Sequence, residues 1–140
     1  MTMVDKRLYD TRFFFEYFYS DDAELVKRLK QEAKSTKEKF VSVLTIHELH
    51  HISMKRSGKE VAALRSHAIS VEFAVVNVDY AIAVQSAELR NAHKIPMADS
   101  VIAATAQVHG CTLISDDDHF KGVPNLKTKW IVATAWSNSE

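Results

Sequence analysis

Cysteine is almost missing from this chain. A single residue, Cys111, among 140 excludes an internal disulfide framework and a Cys-rich zinc site, and it fits a reducing cytosol. Glycine and proline are equally scarce, three and two residues, so long structureless stretches are not expected. No excess of either charge exists: 18 Lys and Arg stand against 18 Asp and Glu. A bulk electrostatic grip on nucleic acid is therefore excluded, and any such grip must come from a local patch. No apolar run approaches the roughly 18 residues of a membrane span. The N-terminus has no basic segment followed by an apolar core and a small-residue cleavage site, so no signal peptide is expected. What is present, 46% hydrophobic and 26% charged residues over 140, is the mix of a soluble globule with a single domain over residues 1–140.

Short β-like runs alternate with longer helix-like runs, the pattern of an α/β domain with a mostly parallel sheet. Strands are expected at residues 4–9, 40–44, 74–78, 112–115 and 130–134. The aromatic run 11–19 suits a strand on propensity, but a helix packed into the core is the preferred reading. Asp21 with Glu24 three residues on resembles a capping box, opening a helix to about Lys34. Thr45 opens the next helix, Gly58 separates it from another over 59–73, and Asp79 caps one over 80–93. A small-residue helix, 98–109, stops at Gly110.

Four carboxylates fall at element boundaries. Asp10 follows the first strand, Glu48 lies in the turn after the second, Asp99 opens a helix, and Asp117 follows the fourth strand. In an open parallel sheet the carboxyl ends of the strands share one edge, where ligands bind. Counting alone places Asp10, Glu48 and Asp117 near that edge; it does not place Asp99, because two helices separate the third and fourth strands. Two carboxylates about 4 Å apart repel by roughly 4 kcal/mol at an effective dielectric near 20. A cluster of three or four takes up protons or needs a cation, and all-oxygen ligands suit Mg²⁺ or Mn²⁺ rather than Zn²⁺. Each acid also has an ordinary structural account. Thr45 with Glu48 fits a capping box, Asp99 suits the positive end of a helix dipole, and Asp10 and residues 116–118 suit turns.

His47-Glu48-Leu49-His50-His51 matches H-E-x-x-H, in which two histidines one turn apart bind zinc and the glutamate acts as base. The longer extension of that motif is missing, since Met54 and Ser57 occupy its Gly and His places. Glu72 is the only distant third ligand to suggest itself, and a zinc hydrolase would leave Asp10, Asp99 and Asp117 unexplained. Surface or substrate-facing roles are the alternative for His47, His50 and His51.

Taken in order, Tyr9-Asp10-Thr11, Glu48, the segment Ala98-Asp99-Ser100-Val101-Ile102-Ala103-Ala104-Thr105-Ala106, and Leu113-Ile114-Ser115-Asp116-Asp117-Asp118-His119-Phe120 resemble the PIN-domain family. Within it the chain looks like the small VapC-type toxins, archaeal ones especially, over essentially its whole length. The resemblance implies a Rossmann-like three-layer α/β/α sandwich with a central, mostly parallel sheet. It implies a metal-dependent endoribonuclease using Mg²⁺ or Mn²⁺, with Asp10, Glu48, Asp99 and Asp117 as the acidic quartet holding the metal. Thr11 and Ser115 match hydroxyl positions that orient ligands from behind. An RNA substrate, a small antitoxin partner, a homodimer and a cytoplasmic location follow from the same resemblance. Three features depart from it. His119 stands where family members often carry an acid, Asp116 and Asp118 flank Asp117 and compete for its role, and the aromatic run after Asp10 is unusually heavy.

Two other functions stay open on sequence: an RNA-processing nuclease without an antitoxin, and a non-catalytic binding module keeping the acids as folding features. Lys27, Arg28, Lys30 and Lys34, or Arg12, Lys55 and Arg56, are candidates for a basic RNA-positioning surface, against the ordinary account of a solvated helix face.

Overall fold

The computed structural model describes residues 5–130. Within them β1 (Lys6–Tyr9), β2 (Glu38–Ser42), β3 (Ala74–Val76), β4 (Thr112–Ile114) and β5 (Thr128–Lys129) form one sheet in the order β3-β2-β1-β4-β5. Every pairing is parallel. The helices are α1 (Thr11–Tyr19), α2 (Ala23–Ser35), α3 (Val43–Ser57), α4 (Lys59–Glu72), α5 (Tyr80–His93) and α6 (Met97–His109), with a single 3-10 turn at Asp118–Phe120.

Strand alternation divides the core in two. Leu8, Phe40 and Leu113 face a cluster built with Ile82 and Leu89 of α5 and Val101 to Ala106 of α6. Tyr9, Val41 and Ile114 face the opposite cluster with Phe13, Phe14, Leu29, Leu49, Ile69 and Phe73, from α1 to α4 and the residue after them. The chain thus makes the three layers expected. Handedness explains why the helices divide this way. Crossovers β1 to β2 and β2 to β3 step in one direction, whereas β3 to β4 returns past β1. A right-handed connection in the reverse direction must cross the other face.

The aromatic run forms a helix because helical spacing sends Phe13 and Phe14 into the core together, at 0% and 1% exposure. A strand would point them to opposite sides. Phe15, Tyr17, Phe18 and Tyr19 are half-buried. The guanidinium of Arg56 lies over Phe15 and Tyr19, and that of Arg65 over Phe18 and Tyr19. In α6 the side chains of Ala103, Ala104 and Ala106 are fully buried, which lets the helix lie close to the sheet. Gly110, at φ 66°, ends it in the left-handed conformation that favours glycine.

Several boundaries differ from expectation. Helix α2 is capped by Asp22, not Asp21: its carboxylate accepts from the N–H of Glu24 and Leu25. Strand β2 covers 38–42 rather than 40–44, because Ser42, fully buried, caps α3 by accepting from Leu44 N–H at 3.1 Å. Thr45 is therefore inside α3, so the capping-box account of Glu48 fails. The last strand is Thr128–Lys129; residues 131–134 of the expected strand, and Val4 of the first, lie outside the described residues.

Candidate metal centre

The strand order reverses between β1 and β4, the kind of place where open α/β sheets bind ligands at the carboxyl edge. Asp10 is the residue immediately after β1, and its N–H still donates to Ile114 O of β4 at 3.2 Å. The strand pairing therefore fixes the backbone of this acid directly. Its side chain is 5% exposed, and its carboxylate accepts from Ser115 Oγ at 2.7 Å. Burial pushes the Asp10 carboxyl up to about 6. The Ser115 hydroxyl and Thr11 N–H pull it down, and the charges of Asp99 and Glu48 push it up again.

Counting could not place Asp99; the topology does. Only Gly110 and Cys111 separate the end of α6 from β4, so α6 runs against the strand direction and its first turn lies at the carboxyl edge. Asp99 sits in that turn, half-buried. Its carboxyl is raised, first by desolvation, with Asp117 and Glu48 adding repulsion against the lowering effect of His119. Glu48, one turn into α3, accepts from Thr11 Oγ1 at 2.6 Å. Asp117 caps the 3-10 turn: its Oδ1 accepts from His119 N–H at 2.9 Å, while its own N–H donates to Ser115 Oγ at 3.1 Å. Ser115 thus ties Asp10 to Asp117, and Thr11 ties α1 to Glu48.

The flanking acids point elsewhere. Asp116 pairs with Arg12, and Asp118 with Lys121 at 2.8 Å. The tightest ligand-spaced group among the described residues is Asp99, Asp117 and His119, with one donor atom from each within 4.8 Å of the others. His119 Nδ1 lies 2.6 Å from Asp99 Oδ2 and 3.2 Å from Asp117 Oδ1. Sequence reasoning noted His119 only as a departure and gave it no role. Its distance of two residues from Asp117, in a turn that bends back, was the available signal.

The H-E-x-x-H segment forms no comparable group. His47 and His51 are exposed on α3, His50 Nδ1 meets Ser66 Oγ at 2.7 Å, and Glu72 reaches Lys39 at 3.4 Å. Two proposed RNA contacts are already engaged, Arg12 by Asp116 and Arg56 by the aromatic face of α1. A cleft lined by Lys6, Gln107, Gly110, Cys111, Asn125 and Lys127 opens at the opposite edge of the sheet and holds none of the four acids. Burial pushes its thiol, Cys111, up to about 11.

The donor set suits a hard divalent cation: buried or half-buried carboxylates gathered together, with Asp10 and Asp99 raised by burial and neighbouring charge, are relieved by a positive ion. Comparison with protein families matches residues 7–126 to the PIN domain. Ribonuclease VapC4 of Mycobacterium tuberculosis is 33% identical over 94 residues, 62% of this chain and 72% of the relative. A toxin–antitoxin complex from Klebsiella pneumoniae superposes with a TM-score of 0.70 at 25% identity, covering 86% of this chain and 95% of that one. VapBC2 from Rickettsia felis, solved bound to a promoter DNA fragment, shares the fold with a TM-score of 0.74 at 20% identity, over 91% and 98% of the two chains.

Proposed function

Because the chain belongs to the PIN-domain family, we propose that it is a metal-dependent endoribonuclease and the toxin of a VapBC-type pair, its 140 residues forming one nuclease domain. The observation that carries this reading is the gathering of Asp10, Glu48, Asp99 and Asp117, four acids from four segments of the chain, at one strand edge, where the charges of Asp99 and Glu48 push the Asp10 carboxyl up and those of Asp117 and Glu48 push the Asp99 carboxyl up. The ribonuclease relative supports RNA as the substrate, and the toxin–antitoxin neighbours support a small antitoxin partner.

In this reading Asp10, Asp99, Asp117 and Glu48 hold Mg²⁺ or Mn²⁺. The chemistry a bound divalent ion supplies is Lewis-acid activation of water and neutralisation of charge developing on the phosphate. The chain's own part is to hold the acids in place. The Ser115 hydroxyl and Thr11 N–H hold the Asp10 carboxylate, the Thr11 hydroxyl holds Glu48, and the Asp117 cap holds the loop after β4 against the site. A cytoplasmic location suits an RNA substrate and a single unpaired cysteine.

The decisive experiment is cleavage of structured and single-stranded RNA by wild type and Asp10→Ala. Cleavage is expected with Mn²⁺ or Mg²⁺, abolished by EDTA, restored by re-addition, and lost in the variant by at least a hundredfold. Activity surviving in Asp10→Ala, or in EDTA, would overturn the proposal. An RNA-processing enzyme without an antitoxin is separated from a toxin by the absence of growth arrest on expression. A homodimer belongs to the same proposal. Tyr80 and Val84, one turn apart on α5, are 85% and 43% exposed, and Tyr80→Glu is expected to shift a dimer to monomer in light scattering.

A further inference from the structure

His119 occupies the position two residues beyond Asp117 at which the resemblance leads one to expect an acid. The 3-10 turn that carries it is held at both ends. Asp117 Oδ1 accepts the His119 N–H, and Phe120, the next residue, is 2% exposed in the core beside α6. The imidazole is thereby turned back over the acids rather than out along the surface. Its Nδ1 lies 2.6 Å from Asp99 Oδ2 and 3.2 Å from Asp117 Oδ1. Donor atoms around one octahedral ion with bonds of about 2.1 Å lie roughly 3 Å apart when adjacent and about 4 Å when opposite. The separations of 2.6 and 3.2 Å from Nδ1 to the two carboxylate oxygens lie close to the adjacent spacing, and all three atoms lie within 4.8 Å of one another.

We propose that His119 is a nitrogen ligand of the divalent-cation site, making it a mixed nitrogen–oxygen set that prefers Mn²⁺ to Mg²⁺. The inference rests on the reading of these acids as a metal centre and goes beyond it. Magnesium demands oxygen donors and gives up its waters reluctantly, whereas affinity for imidazole rises along the transition series. Replacing a carboxylate by imidazole also lowers the negative charge of the donor set by one, which weakens the hold on Mg²⁺ most. The alternative is that His119 only hydrogen-bonds Asp99 and Asp117 and sets their orientation. A hydrogen-bonding role leaves no imidazole nitrogen on the ion.

The probe is Mn²⁺ alone, titrated into the full-length metal-free protein and followed by electron paramagnetic resonance, with Mg²⁺ as competitor. Electron spin-echo modulation of the bound Mn²⁺ reports nitrogen directly, independently of RNA cleavage. Wild type is expected to show the modulation of one coordinated imidazole. H119D is expected to bind Mn²⁺ without it and to lose about tenfold of the Mn²⁺-over-Mg²⁺ preference. H119Q, which keeps a polar side chain without the imidazole, serves if the aspartate variant does not fold. His47→Ala should keep the modulation. Bound Mn²⁺ without nitrogen modulation in wild type, or modulation persisting in H119D, overturns the histidine ligand and leaves the acidic site standing. Failure of wild type to bind Mn²⁺ at all overturns both this inference and the nuclease reading beneath it.

Discussion

Asp10 shows most sharply how a side chain can be kept against its own stability. An aspartate in water ionises near 3.9; burial and two neighbouring acids carry this one to about 6. The folded protein therefore binds a proton more tightly than the unfolded chain. Its stability falls as pH rises from about 4 to about 6 and stays lowered above that. The difference amounts to about 3 kcal/mol at neutral pH before solvent relaxation reduces it. Asp10→Asn keeps an oxygen to accept from Ser115 and removes the charge. It is expected to abolish cleavage while raising the melting temperature of the metal-free protein, measured in EDTA. A clear fall instead would mean that Asp10 is a structural turn residue. Neither the burial of Asp10 nor its tie to Ser115 is visible in its immediate sequence, because both depend on β4 lying beside β1, more than a hundred residues away.

Helix and strand existence was legible at the level of elements, and boundaries were legible only where a capping residue had no rival. Asp79 caps α5 as expected, accepting from Ile82 N–H at 2.9 Å. At α2 two adjacent aspartates competed, and Asp22 took the cap while Asp21 stayed exposed. Asp22→Ala is accordingly expected to cost about 1 kcal/mol in urea denaturation, and Asp21→Ala close to nothing. Equal effects would refute the assignment. At α3 the local signal misled. Thr45 and Glu48 form a plausible capping pair in sequence, but Ser42 is a better one in space because it lies at the buried end of β2. Glu48 is thereby displaced into the second turn, where Thr11 of α1 meets it.

Across the whole molecule a buried acid and a half-buried one pull stability in opposite directions with pH. Glu32 of α2 is the counterpart of Asp10. Burial alone would raise its carboxyl, but Arg7 and the Thr36 and Tyr9 hydroxyls hold it below the usual range. Arg7 Nη1 donates to it at 2.5 Å, and Tyr9 Oη at 2.9 Å. A lowered carboxyl contributes stability that is present above its unfolded value and lost as pH falls through the folded one. The metal-free protein is therefore expected to gain stability on acidification from about pH 6 to about pH 4, as Asp10 takes up a proton. It should lose stability below about pH 4, as Glu32 is neutralised. Thermal melts across this range test both limbs: Asp10→Asn should flatten the first and Glu32→Gln the second. Glu32→Gln should also lower stability by about 2–3 kcal/mol at neutral pH, since it leaves Arg7 without its buried partner. The same ledger predicts that millimolar Mn²⁺ raises the wild-type melting temperature, because a ligand that binds only the native state stabilises it.

Residue type and periodicity by themselves determined the alternation of strands and helices, the burial of Phe13 and Phe14, and the acids at strand ends. These are local properties, set by side-chain spacing and backbone preference. Tertiary structure alone decided that α6 runs against the sheet and delivers Asp99 to Asp10. It also decided that Asp116 is drawn off by Arg12 and that His119 meets Asp99. Those outcomes follow from the reversal of strand order beside β1 and the handedness of the crossovers. That ordering belongs to the whole sheet and is written in no single segment.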